Sequence, residues 1–254
     1  MAADSPWEVF STPTDHSPRS VGEYTNGCLL GGRELAAEGT GYQVVRLSRQ
    51  RHFAHPLMVS YLEDLGEKVS RAGLGKMLVG DVAMARGGPF EQGHRSHQTG
   101  LDADIWLRLD LPALSQAARE DLETPVMVDH TQFRVDPTRW QPRHAELLRL
   151  AAGDPRVARI FVHPAIKQAL CDTAGQERAW LRRVRPWFGH DAHFHVRLRC
   201  PRSDGSCEDQ EEPPAGDGCG AELASWHPRN RPETVPPPRR EKPPLPGQCQ
   251  EILN

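Results

Sequence analysis

The chain has 254 residues, a net charge of −3 and an apolar fraction of 37%, so it contains enough apolar material for a hydrophobic core. It lacks both the basic stripe typical of nucleic-acid-binding proteins and any run of the about 20 apolar residues that span a bilayer, so we expect neither a nucleic-acid partner nor a transmembrane segment. Its 22 glycines and 23 prolines predict a loop-rich fold.

The first part of the chain predicts short strands and one long helix. Residues 1 to about 50 contain scattered turn signals without sustained periodicity, which favours short strands and loops. From Pro56 to Val69 apolar residues recur at helical spacing, and Gly73 supplies a stop signal. The apolar run at 76–84 predicts a buried strand.

The second part predicts a mixture of helices and strands. Helices are expected at 142–152 and 165–175, and strands at 100–109, 158–164 and 191–200. Because strands and helices follow one another without a strict repeat, we predict an α+β fold in which helices flank a small central antiparallel sheet.

Prolines become frequent after residue 211, with runs at 236–238 and 243–246. Proline fits neither central strands nor helix interiors, so we predict an extended tail. We therefore expect one domain over residues 1–210 and a proline-rich tail over 211–254 that packs on the same domain through disulfides.

The six cysteines form none of the C-x-x-C pairs typical of zinc ribbons or thioredoxin-type sites. Disulfides are the better interpretation, and six buried thiols are the alternative. Cys200 and Cys207 flank a turn-rich segment that suits a small closed loop, while the two cysteines of the tail could pair back to the two that precede Cys200. The full set is Cys28, Cys171, Cys200, Cys207, Cys219 and Cys249.

Disulfides also bear on the compartment, because they persist in secreted and periplasmic proteins and are rare in the cytosol. The first ten residues lack the charged and apolar regions of a signal peptide. The sequence is therefore either cytosolic or has lost its signal peptide. The cysteines favour the second alternative, and we expect a periplasmic protein.

One short segment, GHRSHQTGLDAD, concentrates residues that bind metals. Imidazole and carboxylate groups suit zinc, and Gly100 allows the loop with the histidines to turn into the strand with the aspartates. The alternative is that the histidines are solvated or buried with other partners, as loop histidines more commonly are. The residues concerned are His94, His97, Asp102 and Asp104.

A second signal lies in the strand predicted at 191–200. Side chains of a strand alternate between its faces, so His193, His195 and Arg197 share one face while Phe194 and Val196 face the core. A zinc ion held by two histidines and one aspartate, with an open position for water, is a catalytic arrangement. The two signals together indicate a catalytic zinc site, and the alternative that these histidines bind no metal stays open on the residues alone.

The segments SHQTGLDAD and HFH resemble the group of peptidases that unites lysostaphin-type enzymes, D-Ala-D-Ala dipeptidases and the hedgehog signalling domain. Within that group, the chain resembles the penicillin-insensitive murein endopeptidases. The segments that carry this closer resemblance span most of residues 80–226, and they are GHRSHQTGLDADIWL, RIFVHPAIKQALC, RVRPWFGHDAHFHVRLRCP and GDGCGAELASW.

This resemblance implies roles for individual residues. His193 would be the catalytic imidazole, with His190 as a second candidate in the same cleft. The resemblance implies that His97, Asp104 and His195 are the core ligands of a catalytic Zn²⁺. It also implies a further contact from His94. It also implies the disulfides Cys28–Cys249, Cys171–Cys219 and Cys200–Cys207. Thr131 and Arg134 occupy the positions of an accessory metal site in some members, so we expect no second site.

The implied activity is hydrolysis of D-alanyl–meso-diaminopimelyl cross-links of peptidoglycan by zinc-activated water, without sensitivity to β-lactams. A carboxypeptidase or an amidase with the same site is one alternative, and a metal-stabilised binding module is another. The sequence leaves the oligomeric state open.

Other residues keep two interpretations at this stage. Trp187 and Phe188 either line the substrate cleft or belong to the core. Arg185 and Arg197 either bind substrate carboxylates or are solvated, and His163 is expected to be structural. Asp102 either orients a ligand histidine or faces solvent.

Overall fold

The structure is a computed structural model that describes residues 5–230 and 243–253. Helices and several sheets mix along the chain, which confirms the predicted α+β class. The helices are α1 Pro56–Arg71, α2 Pro142–Ala152, α3 Pro164–Thr173, α4 Ala221–Ser225 and α5 Gly247–Glu251. The strands are β1 Arg19–Glu23, β2 Asn26–Leu30, β3 Arg33–Glu34, β4 Glu38–Gly39, β5 Tyr42–Val44, β6 Phe53–Ala54, β7 Met77–Val79, β8 Asp102–Trp106, β9 Val128–Asp129, β10 Arg134–Val135, β11 Val157–Val162, β12 Val184–Pro186, β13 His193–Leu198 and β14 Cys207–Glu208.

The largest sheet of the described residues has seven strands in the order β12-β11-β13-β8-β7-β5-β4. Its centre, from β11 to β7, is antiparallel as predicted. The outer pairs β11/β12 and β5/β7 are parallel, so the sheet is mixed and larger than the sequence suggested. Neighbouring central strands come from distant parts of the chain, which brings residues near 104 beside residues near 195.

One face of this sheet packs on α1, α2 and α3 to form the main core. On β13 the residues Phe194, Val196 and Leu198 point into this core, and on β8 Ala103 and Ile105 do the same. All five are completely buried. Because side chains alternate along a strand, the remaining residues of β8 and β13 lie on the opposite, polar face.

The three longest helices all begin with proline at the first helical position, where its missing N–H costs nothing. A histidine nitrogen caps each of them. The Nδ1 atoms of His55 and His163 accept hydrogen bonds from the backbone N–H groups of Leu57 and Ala165, each at 3.1 Å. In α2 the Nδ1 atom of His144 accepts from Gln141 N at 2.9 Å. The predicted structural role of His163 is therefore confirmed.

The tail contains two short helices, α4 and α5, so the expectation of a wholly extended tail is wrong. Both helices occupy stretches without internal proline, where the restriction that proline places on helix interiors does not act. The proline run at 236–238 lies outside the described residues. Within the described ranges, none of the helices has the length and apolar character needed to cross a membrane.

The structure contains the three disulfides that the resemblance implies, Cys28–Cys249, Cys171–Cys219 and Cys200–Cys207. The first joins β2 to α5 and lies in a second apolar cluster, which we call the end cluster. This cluster combines both ends of the described chain with the loop that follows β7, and its buried members are Trp7, Val21, Cys28, Leu30, Met84, Phe90, Cys249 and Ile252.

Candidate metal centre

The polar face of the central sheet brings the predicted site residues together. On β13, His195 lies opposite Asp104 of β8, and Arg197 lies opposite Asp102. The period of two along each strand places all four side chains on one face. The pairing therefore places His195 beside Asp104, although the two are far apart in the sequence.

His97 reaches the same place from the loop before β8. Its backbone has a φ of 70°, an unusual conformation for a residue with a side chain. The side chain is completely buried, and its Nδ1 atom lies 2.6 Å from the carbonyl oxygen of Val82. With the Nδ1–H donating to that carbonyl, the lone pair of Nε2 is directed at Asp104.

Gly100 shapes the end of this loop, as the sequence predicted. Its φ is 72°, a region that residues with a Cβ avoid. A Cβ at this position would lie 2.7 Å from the backbone nitrogen of His55, so a side chain does not fit. The loop can therefore turn into β8 only with glycine here.

Asp102 orients the histidines around the centre. Its Oδ1 atom lies 2.8 Å from His195 Nε2, and its Oδ2 accepts from the backbone N–H of His97 at 3.1 Å. Arg197 donates to both oxygens. Asp102 is buried and contacts a histidine. Of the two predicted alternatives, the structure therefore favours an orienting role over exposure to solvent.

These contacts shift the pKa values of the pair. Burial raises the pKa of Asp102, but the charges of Arg197 and His195 outweigh burial and hold it well below its usual range. Burial alone would lower the pKa of His195. The charges of Asp102 and Asp104 and their hydrogen bonds to His195 outweigh burial, so the pKa of His195 is raised. Asp102 is thus a permanent anion.

Three donor atoms converge on one point. The Oδ1 atom of Asp104 lies 3.5 Å from His97 Nε2 and 3.2 Å from His195 Nδ1. Both His97 Nε2 and Asp104 Oδ1 are buried and, among the described residues, have no hydrogen-bond partner. Buried polar atoms are rarely left unpartnered, so these orphaned atoms fit a metal ion between them.

His94 approaches the same carboxylate from the loop. Its Nδ1 atom lies 3.3 Å from Asp104 Oδ2, and its Nε2 lies 3.4 Å from Asp81 Oδ2. One donor atom from each of His94, His97 and Asp104 lies within 4.8 Å of the others, a grouping that could hold a metal ion.

Asp81 was missed by the sequence analysis. It follows β7, accepts the backbone N–H of Asp104 through its carbonyl oxygen, and forms a 3.1 Å ion pair with Arg51. The run at 76–84 was read as one buried strand, but β7 ends at Val79. An aspartate that interrupts an apolar run is the signal that could have identified it.

His193 and His190 complete the polar face. His193 Nε2 lies 3.6 Å from Asp104 Oδ2, and the rings of His190 and His193 lie 5.1 Å apart. Burial lowers the pKa of His193. The pKa of His190 is lowered to about 4, mainly because the ring is buried and further because of the charges of His195 and His193. Both imidazoles are therefore neutral at neutral pH and can accept a proton.

These histidines line a cleft of about 600 Å³. Trp187, with 54% of its surface exposed, lies at its edge, and its ring contacts Phe161 edge-on at 5.9 Å. Phe188 also lines the cleft, and its ring lies 5.5 Å from that of Trp226. The aromatic pair thus belongs to the cleft wall, one of the two predicted alternatives.

Comparison with known proteins shows to which family the chain belongs. A family model described as penicillin-insensitive murein endopeptidase matches residues 20–254. The chain belongs to this family. Proteins of that name from Haemophilus influenzae and Klebsiella pneumoniae are 49% and 46% identical to it, over 100% and 99% of this chain and 90% and 92% of their own lengths. One from Salmonella arizonae is 47% identical, over 99% and 92%.

Not every predicted residue of this family member reaches the centre. Arg185 is buried and forms an ion pair with Glu222, and Arg197 is held by Asp102. Neither is solvated, and both are already paired with carboxylates. Near the position of the accessory metal site, Asp129 accepts backbone N–H groups within its own turn, and His130 lies 2.9 Å from Asp191.

Proposed function

We propose that this chain is a zinc-dependent endopeptidase that hydrolyses D-alanyl–meso-diaminopimelyl cross-links of peptidoglycan. The observation that carries the proposal is the pair of buried atoms without partners, His97 Nε2 and Asp104 Oδ1, in a member of a murein endopeptidase family. Relatives that bear this name align with almost the whole chain. Peptidoglycan peptides are the substrate class that follows.

In this proposal His97, Asp104 and His195 hold the zinc ion, and His94 supplies a further contact. The donor set of imidazole nitrogens and a carboxylate oxygen is one that zinc prefers. Two contacts outside the centre keep the imidazoles in the required tautomer, the Val82 carbonyl for His97 and the Asp102 carboxylate for His195. Such supporting groups also raise the basicity of ligand histidines.

A bound zinc ion would lower the pKa of a water molecule from about 15.7 towards 7 and would polarise the scissile carbonyl. His193 accepts the proton of the attacking water, because it is neutral and lies on the cleft side of Asp104. His190 is the second candidate for this step. In the part of the cleft that the described residues line there is no glutamate, so histidine takes the role that glutamate has in many zinc peptidases.

The proposal includes two further properties, the response to β-lactams and the compartment. No nucleophilic side chain forms a covalent intermediate, so β-lactams, which acylate a serine, do not inhibit the enzyme. The three disulfides suit an oxidising compartment, and together with the substrate they support a periplasmic location.

The test is incubation of the protein with purified sacculi, followed by mass spectrometry of the muropeptides. We expect conversion of cross-linked dimers to monomers, loss of this activity with a chelator, and recovery when zinc is returned. Ampicillin at a saturating concentration is expected to have no effect. Persistence of the dimers in the untreated reaction would exclude an endopeptidase.

Variants separate the ligands from the proton acceptor. His195→Ala is expected to lose both zinc and activity, whereas His193→Ala is expected to retain zinc and lose most of its turnover. Release of terminal D-alanine without cleavage of dimers would indicate a carboxypeptidase, and separation of peptides from glycan would indicate an amidase. Zinc binding without any product would indicate a binding module.

A further inference from the structure

Two rows of side chains lie side by side on the polar face of the sheet. Residues two positions apart on a strand are separated by about 7 Å, so a row that contains two arginines borders the row that contains the proposed metal ligands. Each row crosses β11, β13 and β8 in that order. The first row is Phe161, His195 and Asp104, and the second row is Arg159, Arg197 and Asp102.

Arg197 is fully engaged within its row. Its Nε donates to Asp102 Oδ1 and its Nη1 to Gln210 Oε1, both at 2.7 Å. The guanidinium also lies 4.2 Å from the centre of the Tyr24 ring. Arg197 is therefore a support for Asp102 and has little capacity left for a ligand.

Arg159 is in a different state. Its Nη2 donates to the carbonyl oxygen of Glu211, and its Nε is buried without a hydrogen-bond partner in the described part of the chain. Among those residues, no carboxylate pairs with its guanidinium. The charges of Glu212 and Glu211 attract the guanidinium without forming an ion pair with it. Because the side chain lines the cleft beside His195 and Phe161, it places a cation with unused donors next to the metal centre.

The proposed substrate carries a matching anion. In a D-alanyl–meso-diaminopimelyl cross-link, the carbon atom bonded to the nitrogen of the scissile amide also bears a free carboxylate. One residue of extended chain covers about 3.5 Å, and a charge-assisted hydrogen bond adds about 2.8 Å. The sum is close to the spacing of the two rows, so a carbonyl held at the metal row places this carboxylate at the arginine row.

We propose that Arg159 binds the free carboxylate of the diaminopimelyl residue on the leaving-group side of the scissile bond. Arg159 thereby makes the enzyme specific for cross-links in which this carboxylate is not amidated. The inference rests on the proposed function and adds a specificity-determining residue to it. It also replaces Arg185 and Arg197, the two arginines that the sequence suggested for carboxylate binding.

The experiment compares two purified muropeptide dimers that differ only at this group, one with the free carboxylate and one with a carboxamide. We expect the wild-type kcat/KM to be about 10- to 100-fold higher for the free carboxylate, the range that a hydrogen-bonded ion pair supplies. Arg159→Gln is expected to lower kcat/KM for the free carboxylate by a similar factor and to leave the amidated dimer unchanged. Arg159→Lys retains the charge and is expected to recover part of the preference.

Arg95→Gln is the matched comparison, because it removes the same charge from another residue that lines the cleft. Arg95 is exposed, and its loss is expected to change both dimers by one common factor through long-range attraction alone. Zinc content and melting temperature are measured for each variant. The wild-type comparison of the two dimers needs no variant, so it remains informative even where Arg159→Gln does not fold.

The outcomes distinguish the two proposals. Equal cleavage of both dimers by the wild type, or an equal loss for both in Arg159→Gln, would overturn the role of Arg159 while the endopeptidase function stands. Cleavage of neither dimer by the zinc-loaded wild type would overturn the endopeptidase function itself, and this inference with it.

Discussion

Asp102 holds three parts of the site together without being one of the proposed ligands. It contacts His195, the backbone of His97 and the guanidinium of Arg197, yet in the proposal it does not touch the metal. A residue of this kind acts through the position and basicity of the ligands. Its substitution should therefore be visible in zinc affinity, independently of any effect on turnover.

Asp102→Asn is expected to weaken zinc binding by about 10- to 100-fold, because it removes the negative charge that holds the imidazole of His195. Competition with a chromogenic chelator measures this change directly. Asp191→Asn is a suitable control, since Asp191 lies near β13 but contacts His130, away from the centre. An equal effect of the two substitutions would contradict the orienting role of Asp102.

Trp187→Ala is expected to raise KM about fivefold with little change in kcat or melting temperature, because removal of about 1 kcal/mol of apolar contact has this effect on binding. Trp187 lies at the edge of the cleft, and more than half of its surface is exposed. Steady-state kinetics on a purified dimer provide the measurement. Val9→Ala is the control, as Val9 is another strongly exposed apolar residue, and a comparable KM change there would contradict a role of Trp187 in the cleft.

At the residue scale, local patterns found part of the site. The period of two along 191–200 placed His193 and His195 on one face, and the HRSHQTG loop identified His97. Asp81 escaped because the run at 76–84 predicts one strand, whereas β7 ends at Val79. Arg159 escaped because its role depends on pairing between strands: it matters only because β11 lies beside β13. No spacing within one segment carries that information.

The helices that flank the sheet share a pH-sensitive feature. Each of the three longest begins at a proline and is capped by a histidine Nδ1 lone pair, which is lost when the imidazole is protonated. Burial is the largest cause that lowers the pKa of His144, and it lowers it to about 4. Burial also lowers the pKa of His163 to about 4.

The sign of the effect on stability follows from these pKa values. His144 takes up a proton near pH 6.5 in the unfolded chain but only near pH 4 in the folded protein. Its contribution to stability is therefore fully present above about pH 6.5 and is lost as the pH falls towards 4. For this one group the loss reaches about 3 kcal/mol at most.

His144→Gln keeps an acceptor at the third helical position and removes the titration. We expect its free energy of unfolding to fall less than that of the wild type between pH 6.5 and pH 4, as measured by urea denaturation followed by circular dichroism. The exposed His16, changed to Gln, is the control and should follow the wild type. Parallel curves for His144→Gln and the wild type would show that this cap does not cause the acid sensitivity.

The boundaries of these helices could be predicted closely, because proline and glycine mark them locally. The expected helix at 142–152 is confirmed residue for residue, and the one at 165–175 begins one residue earlier and ends two residues earlier. The order of the seven strands could not be predicted. Hydrophobic alternation tells which face of a strand is buried but not which strand lies beside it.

On the scale of the whole molecule, the disulfides close loops of very different length. Cys28–Cys249 has a sequence separation of 221, whereas Cys200–Cys207 has a separation of 7. Loop-closure entropy grows with the number of residues enclosed. The long bridge also lies in the end cluster, whose member Phe90 stacks on the ring of His97 at 5.7 Å.

Replacement of Cys28 and Cys249 by alanine is expected to lower the free energy of unfolding by about 5 kcal/mol, against about 2–3 kcal/mol for Cys200 and Cys207. Loss of the Cys28–Cys249 bridge should also weaken zinc binding, because it loosens the packing against His97. Loss of the Cys200–Cys207 bridge should leave zinc binding unchanged. Urea denaturation and chelator competition measure the two effects. Equal zinc affinity in the two double variants would contradict a link between the end cluster and the centre.

The proposed division into a domain over 1–210 and a tail over 211–254 stays a prediction.

The end cluster has a consequence for the order in which this protein can mature. A ribosome delivers Cys28 221 residues before Cys249, and the loop with His97 packs on a cluster that contains both. A chain that is cut between the two cysteines cannot close this bridge, so we expect its loop at His97 to be less rigid. In the proposed enzyme, full hydrolytic activity is then expected only after both cysteines have been synthesised and oxidised.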